Sequence, residues 1–451
     1  MRISVIGCGY LGAVHAATLA SMGHDVVGID TDESKVRLLS RGVAPFYEPG
    51  LEELLAHTTA QGTLRFSRDF SETSGADVHF LCVGTPQSKT GDGADLGYLL
   101  AATQELRRHA RAGSLVVGKS TVPVGTVDVL GDLLAERGDL LLAWNPEFLR
   151  QGTAVKDSLV PDRLVYGAEG PQEKRAVEML DAVYAPLLGA GVPRIVCNFA
   201  TAELIKSAAN AYLATKLSFI NAMGELCDAA GADVVALSEA MGLDPRIGAR
   251  YLHAGLGFGG GCLPKDIRSL RTQAGSLGVT ALEDWMGSVD TINREQRARS
   301  VSLAADLLGG SVAGRQVTVL GAAFKPDTDD IRDSPAMDVA MRLVEAGAHV
   351  TVTDPKAINN AWLRFPQMRF ETKPLAALDG AELVVLATEW DEFCRLDPAV
   401  AGKLVRRRLL LDTRNALDAD SWAAEGWTVA GLGVPGRRPR ARAAAGQPTS
   451  V

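Results

Sequence analysis

The chain has 451 residues, 47% hydrophobic and 22% charged, with a formal net charge of −8 at pH 7. That length exceeds what a single core serves, so about two or three ordinary globular domains are expected, and the acidic balance argues against a general binder of nucleic acid or anionic membrane. The six cysteines show no CxxC spacing and the seven histidines do not cluster with them, so neither a structural metal site nor a disulfide framework is indicated. A strand pattern begins at once, without a signal peptide, and no apolar run is long enough to span a bilayer. A reducing cytoplasm is the expected setting.

Arg2–Ile6 reads as a buried strand, which Gly7-x-Gly9-x-x-Gly12 turns into a helix running to about Met22. Gly23 stops that helix, and Asp25–Ile29 is a second strand closing on Asp30. A lone GxGxxG is weak, but one that follows a strand, opens a helix and precedes an acid at the next strand end is a dinucleotide fingerprint. The helix N-terminus would hold a pyrophosphate. Asp30 would accept from a ribose diol and repel a 2′-phosphate, so the expected cofactor is NAD rather than NADP. Three further strand-then-loop units follow: Val78–Val83 into Gly84-Thr85-Pro86, Leu115–Lys119 into Ser120-Thr121-Val122-Pro123, and Leu141–Trp144 into Asn145–Gly152. Ligands of open α/β sheets sit beyond the carboxyl ends of strands, where Thr85, Thr121 and Glu147 fall. Position alone leaves Thr121 and Glu147 equally readable as turn and cap residues.

Thr201 to about Ala230 lacks proline and is rich in alanine, leucine and lysine, the pattern of one long helix. Lys206 and Asn210 share a face of it, one turn apart; an ordinary solvated surface is the competing reading. Asp233 to about Arg299 reads as mostly helical and carries Gly257-Phe258-Gly259-Gly260-Gly261-Cys262-Leu263-Pro264-Lys265-Asp266. Its glycines can wrap the Cys262 thiol around a bound group, Lys265 would favour the thiolate, and Asp266 offers proton transfer. Cys262 is therefore read as a covalent nucleophile rather than a buried structural cysteine. A helical middle between two α/β units is a natural dimerisation element.

From about Gly314 the first pattern returns. Gln316–Gly321 and His349–Asp354 read as strands, the second ending in an acid, and Glu382–Thr388 echoes residues 77–85. The glycine fingerprint is replaced by a longer loop, Phe324 to Ser334, so this unit should take a different phosphate-bearing ligand, such as a second nucleotide. The tail from Gly436 holds four arginines without apolar periodicity and reads as disordered. The expected fold class is α/β: two Rossmann-like doubly wound domains, 1–200 and 301–435, joined by a central helical dimerisation region, 201–300, with one long helix, and a tail from 436 to 451.

These motifs together resemble the UDP-glucose/GDP-mannose dehydrogenase family over about residues 1–432. The resemblance is carried by GCGYLG at 7–12, GTP at 84–86, STVPVGT at 120–126, NPEFLRQG at 145–152, Lys206 with Asn210, RIGARYLHAGLGFGGGCLPKD at 246–266, and FKPDTDDIRDSP at 324–335. It implies oxidation of a sugar-nucleotide C6 hydroxyl to a carboxylate with two NAD, through a bound aldehyde, in a homodimer. Cys262 would be the nucleophile, Lys206 and Asn210 would stabilise the oxyanion, Asp266 and Thr121 would handle water and protons, and Glu147 would be the base for thioester hydrolysis. Cofactor contacts would be Gly7, Gly9, Tyr10, Leu11, Gly12, Asp30, Lys35, Thr85, Thr121, Gln151, Lys265 and Arg332. Substrate contacts would be Glu147, Phe148, Leu149, Arg150, Lys206, Asn210, Tyr251, Leu252, Gly255, Gly259, Phe324, Lys325 and Arg414, with Arg246 reaching across the dimer. Two positions depart from the family pattern. Gly261 stands where a serine is usual, which removes a hydroxyl beside Cys262, and Gln151 stands for a usual glutamate, which removes a charge near the cofactor. Within the family the LPKD after Cys262 favours UDP-glucose over a UDP-N-acetylhexosamine, with GDP-mannose a further alternative. A two-electron hydroxyacid dehydrogenase would need neither the cysteine nor a third domain. The intact set of Cys262, Lys206, Asn210, Asp266 and Glu147 weighs against a non-catalytic nucleotide-sugar sensor.

Overall fold

The computed structural model describes residues 1–89 and 91–437. The chain divides into two compact units, Met1–Tyr212 with Cys262–Gly287, and Leu213–Gly261 with Ser288 onward. The first is built on an eight-stranded sheet: β1 (Arg2–Ile6), β2 (Asp25–Ile29), β3 (Leu64–Ser67), β4 (Val78–Leu81), β5 (Leu115–Gly118), β6 (Leu141–Trp144), β7 (Leu164–Gly167) and β8 (Arg194–Cys197). Their order is β3-β2-β1-β4-β5-β6-β7-β8. All neighbours are parallel except β6 and β7, which meet antiparallel at Trp144 and Gly167. The central strands are apolar on both faces, as in VHFL and LVVG, because helices cover the sheet from either side. The glycine loop is tightly packed at its third glycine: a Cβ on Gly12 would lie 1.8 Å from the Gly7 carbonyl oxygen, so only glycine lets the helix Tyr10–Ser21 start so close to β1.

The second unit carries six parallel strands, β9 (Gln316–Leu320), β10 (His349–Thr353), β11 (Arg369–Phe370), β12 (Leu383–Leu386), β13 (Leu409–Asp412) and β14 (Thr428–Gly431). Their order, β11-β10-β9-β12-β13-β14, repeats that of the first six strands of the other sheet. The expected echo extends to register: β1 pairs with β2 from Arg2–Asp25 to Ile6–Ile29, and β9 with β10 from Gln316–His349 to Leu320–Thr353. Both halves have the doubly wound topology, and a central helical region lies between them in the chain.

The long helix runs Phe199–Ala230, 32 residues, two earlier at its start than expected. The segment 233–299 is less helical than its composition suggests. Helices occupy Val234–Gly242, Leu263–Ser276 and Thr280–Leu307, while 243–262 is turns and loop. Pro245 and the glycines at 248, 255, 257, 259, 260 and 261 explain the break, since each disfavours helix. Of the tail expected to lack structure, Gly436 and Arg437 are described, and Arg437 pairs in an antiparallel bridge with Val429; the remainder lies outside the described residues. Among the described residues no helix is long and apolar enough to cross a membrane.

Candidate active site

The nucleotide end of the first unit is preformed. Asp30, 9% exposed, accepts from the Cys8 amide at 2.9 Å, the Asp32 amide at 3.0 Å and the Lys35 ammonium at 2.9 Å. No atom lies within 4 Å of where a Cβ on Gly9 would stand, so the loop backbone faces open space. An open glycine loop at a helix N-terminus, with a carboxylate beside it, fits a dinucleotide. Sequence reasoning missed Glu48, which is buried and accepts from the Gly152 amide (2.7 Å), the Ala154 amide (2.6 Å) and the Tyr10 hydroxyl. It ties the glycine-loop helix to the Asn145–Gly152 loop. Its only signal is an acid in the turn-rich YEPG at 47–50.

The residues expected to do chemistry converge in the same unit. Lys206 and Asn210 are buried at 5% and 8% exposure, which overturns the solvated-surface reading of that helix face. The Lys206 ammonium lies 3.2 Å from Glu147 Oε1 and 5.5 Å from the centre of the Phe148 ring. Burial works against its charge, but Glu147, then Cys262 and Asp266, hold its pKa above the ordinary lysine value. Asn210 Nδ2 donates to Asp266 Oδ2 at 2.6 Å. The other Asp266 oxygen sits 2.9 Å from the Lys265 ammonium, an ion pair without hydrogen-bond alignment, so Oδ1 is buried with no donor. Lys265 also reaches the Thr85 hydroxyl (3.5 Å), which donates to the Thr121 carbonyl at 2.7 Å. Glu203, also missed, is 2% exposed and accepts from the Gly125 and Val127 amides at 2.8 and 2.9 Å, which fastens the 120–126 loop to the long helix less than one turn before Lys206. Arg150 pairs with Asp157 at 2.5 Å, and Arg163, another residue not foreseen, stacks its guanidinium 3.9 Å over Phe148.

Cys262 caps the N-terminus of the helix Leu263–Ser276 and makes no capping bond with its side chain. It is exposed, yet protein crowds it closely enough that desolvation is the largest influence on its thiol. Desolvation, then Glu147 and Asp266, raise the thiol pKa above its ordinary value, against the pull of Lys206 and Lys265. The expectation that Lys265 would favour the thiolate is correct in sign for that residue alone. The two carboxylates and burial outweigh it in the free protein.

In the second unit the glycine run lies against the Phe324–Ser334 loop. A Cβ on Gly259 would stand 2.2 Å from the Asp333 carbonyl oxygen, and the Gly260 amide donates to the Arg332 carbonyl at 2.9 Å. The space a side chain at 261 would need is taken: a Cβ on Gly261 would meet the Arg332 guanidinium at 2.5–2.7 Å, while that guanidinium binds Asp330 at 2.6 Å. Arg414 is 11% exposed and staples three segments, donating to the carbonyls of Ala387 (2.7 Å), Gly257 (3.3 Å) and Phe324 (3.3 Å). Four non-glycine residues among those described have left-handed backbone, Tyr251, Asp327, Asp333 and Asn415. All four fall in or beside the segments singled out for ligand contact, which is where backbone strain concentrates. Leu252 is buried, and Arg246 is exposed with its guanidinium held by Asp244 at 2.6 Å. Among the described residues no group of three or more His, Cys, Asp or Glu is arranged to hold a metal ion.

A doubly wound unit that presents a dinucleotide loop is the architecture of a nucleotide-dependent dehydrogenase, and a cysteine lies in that unit among lysine, amide and carboxylates. Residues 1–188 match the NAD binding domain of the UDP-glucose/GDP-mannose dehydrogenase family, 200–295 its central domain and 318–419 its UDP binding domain, so the chain belongs to that family. It is 41% identical over 441 residues to the UDP-glucose 6-dehydrogenase of Rhizobium meliloti, covering 96% of this chain and 100% of the relative. A solved UDP-glucose dehydrogenase from Pyrobaculum islandicum superimposes with a TM-score of 0.86 at 39% identity, over 93% of this chain and 95% of that one. A UDP-D-ManNAc dehydrogenase from Pyrococcus horikoshii gives 0.83 at 27% identity, over 96% and 99%.

Proposed function

We propose that the protein oxidises UDP-glucose to UDP-glucuronate, removing four electrons per sugar with two NAD. The observation that carries the reading is the convergence of Cys262, Lys206, Glu147, Asn210 and Asp266 within the unit that holds the NAD loop. UDP-glucose is favoured over N-acetylhexosamines because relatives named for it reach 39–41% identity, against 27% for the UDP-D-ManNAc enzyme.

Bound NAD supplies the hydride acceptor for each oxidation. An alcohol yields one hydride directly, but an aldehyde must first become tetrahedral. The Cys262 thiol passes its proton to the Asp266 carboxylate as its sulfur bonds to the aldehyde carbon, and the carbonyl oxygen becomes an alkoxide facing the Lys206 ammonium and the Asn210 amide; that proton returns to the sulfur when the thiolate later leaves. The second oxidation leaves a thioester on Cys262. Water, held at the donor-free Asp266 Oδ1 and near Thr121, attacks the thioester carbonyl as Glu147 takes its proton; the C–S bond breaks and the thiolate leaves. A raised thiol pKa suits this cycle, because the free enzyme keeps the less reactive thiol until substrate arrives. Phe148, Leu149 and Arg150 would contact the sugar nucleotide, and so would Tyr251, Leu252, Gly255, Gly259, Phe324, Lys325 and Arg414.

The working form is a homodimer, supported by a row of exposed apolar side chains along the long helix: Leu204 (43%), Tyr212 (60%), Phe219 (46%) and Leu226 (56%). Spacings of seven and eight place them on one stripe. The six free cysteines suit a reducing cytoplasm. The test is stoichiometry. Purified protein given limiting UDP-glucose should form two NADH per sugar with no free aldehyde, and should turn over UDP-N-acetylhexosamines and GDP-mannose far more slowly. A ratio of one would remove the acid-forming mechanism, and preference for another sugar nucleotide would move the substrate.

A further inference from the structure

One buried cation of the first unit has no part in that mechanism. Lys119 follows β5 and is 7% exposed, and among the described residues its ammonium is bonded to no carboxylate. It donates to Asn145 Oδ1 at 2.8 Å and to the Tyr184 hydroxyl at 3.4 Å, with the Phe80 and Tyr184 rings each 5.9 Å away. Burying an ammonium without a counter-ion is costly. Hydrogen bonding does not require it: Tyr184 already donates to Asn145 Oδ1 at 2.7 Å, and Asn145 Nδ2 is satisfied by the Val165 carbonyl at 2.9 Å. A neutral side chain of equal length would fill the space and leave no partner stranded. What only lysine adds here is charge.

The charge is placed to matter. Asn145 opens the loop that carries Glu147, so the ammonium anchors that loop at its root. The titratable groups that feel Lys119 are Cys82, Glu147, Lys206 and His15, with the Tyr184 hydroxyl beside it. Glu147 faces Lys206 at 3.2 Å and lies within electrostatic range of Cys262 and Cys82. Lys206 must serve two partners, since the alkoxide at the sugar carbon competes with Glu147 for its ammonium. We propose that Lys119 is a positioning residue for Glu147: held at the root of the Glu147 loop by its bond to Asn145, it places a standing buried charge whose attraction favours the carboxylate when Lys206 turns to the oxyanion. The inference rests on the reading of Glu147 as the base for thioester hydrolysis. Burial draws the Lys119 pKa down to about 8, with Cys82 and Glu147 resisting, so the charge is present at neutral pH and fades in mild alkali.

The test replaces Lys119 with methionine in the full chain and follows melting temperature and the pH dependence of kcat with NAD and UDP-glucose. Lys119→Met is expected to melt at or above the wild-type temperature, to keep KM for UDP-glucose, to lose about tenfold in kcat at pH 7, and to shift the acidic limb of the kcat profile about one unit to higher pH. Tyr184→Phe, which keeps the ammonium, should leave that limb in place. A limb unmoved in Lys119→Met, or a loss of activity that tracks a lower melting temperature, overturns the proposal. Lys119→Gln carries the same expectation should the methionine variant fail to fold, and failure of both would assign the ammonium to folding instead. Glu147→Gln separates the two readings. If it keeps wild-type turnover and the same limb, the role given to Glu147 is wrong; if it abolishes the limb while Lys119→Met leaves it unmoved, only the inference about Lys119 falls.

Discussion

Cys262 shows at the scale of one residue what spacing conveys and what it hides. A cysteine after a glycine run and before Lys265 and Asp266 is legible as a nucleophile from the sequence. The net bias on its thiol is not, because it is set by burial and by Glu147, which reaches the site from the far end of a different loop. Alkylation of Cys262 in the free enzyme should therefore accelerate only above the pH expected of an ordinary thiol. Lys206→Ala, which removes a charge that favours the thiolate, should move that onset higher still; an onset below the ordinary range would contradict the arrangement. Cys262→Ser should lose about a thousandfold or more in acid formation, since an alkoxide ester lacks the thioester's reactivity, and full activity would end the covalent mechanism. Asp30 permits a cleaner experiment than truncation to alanine. Because its carboxylate accepts from the Cys8 amide, Asp30→Asn keeps an acceptor there while removing the charge and freeing Lys35. The ratio of kcat/KM for NAD over NADP should fall by about tenfold or more; an unchanged ratio would show that another group sets the preference.

At the scale of elements, the parts with strong local signals were the legible ones. The glycine-loop helix, β1, β2, β6 and the long helix lie within about two residues of their expected bounds, because strand-then-glycine and unbroken helical composition are local patterns. The edge strand β8 is four residues long and exposed along most of its length; its Ile195-Val196-Cys197 run is as apolar as that of β7 but too short to mark a strand by itself. The loop at 243–262 was hidden by the helices around it, and its last glycines, 259–261, are shaped by packing on the distant Phe324–Ser334 segment. The exposed stripe on the long helix was also invisible, since which face stays uncovered depends on what packs against the others. Phe219→Glu, at the middle of that stripe, should leave the monomer folded, because the side chain already meets water, and should shift the protein to monomer in sedimentation or light scattering. An unchanged dimer would move the interface off this helix.

At the scale of the molecule, the two sheets are variations on one plan with different ligand ends. Gly7 and Gly321 both have positive φ after the first strand, and Asp30 and Asp354 both close the second and accept from the residue after that glycine. Asp354 is further occupied by the amides of Ala323, Lys356 and Ala357 and the Trp390 indole, so it has no capacity left for a ribose, whereas Asp30 shares with a lysine that can yield. The repeat was legible in the sequence and the difference in saturation was not, because Trp390 is remote in the chain. The last question at this scale is whether one chain makes a complete site. Arg246 is exposed, and its guanidinium is bound to its own Asp244, in a segment that the family resemblance assigns to the dimer. A planar fork of donors suits a sugar nucleotide better than lysine would, and the ordinary alternative is a solvated surface arginine. Complementation separates them. Arg246→Ala and Cys262→Ala, each nearly inactive alone, are co-expressed with different tags and the mixed dimer is purified. If Arg246 serves the neighbouring subunit, one site of the mixed dimer collects both defects and the other keeps both residues, so roughly half the wild-type activity returns, as equivalent independent sites require. If Arg246 serves its own subunit, every site retains one defect and the mixed dimer stays inactive. An Arg246→Ala homodimer with wild-type kcat and KM would return Arg246 to the surface.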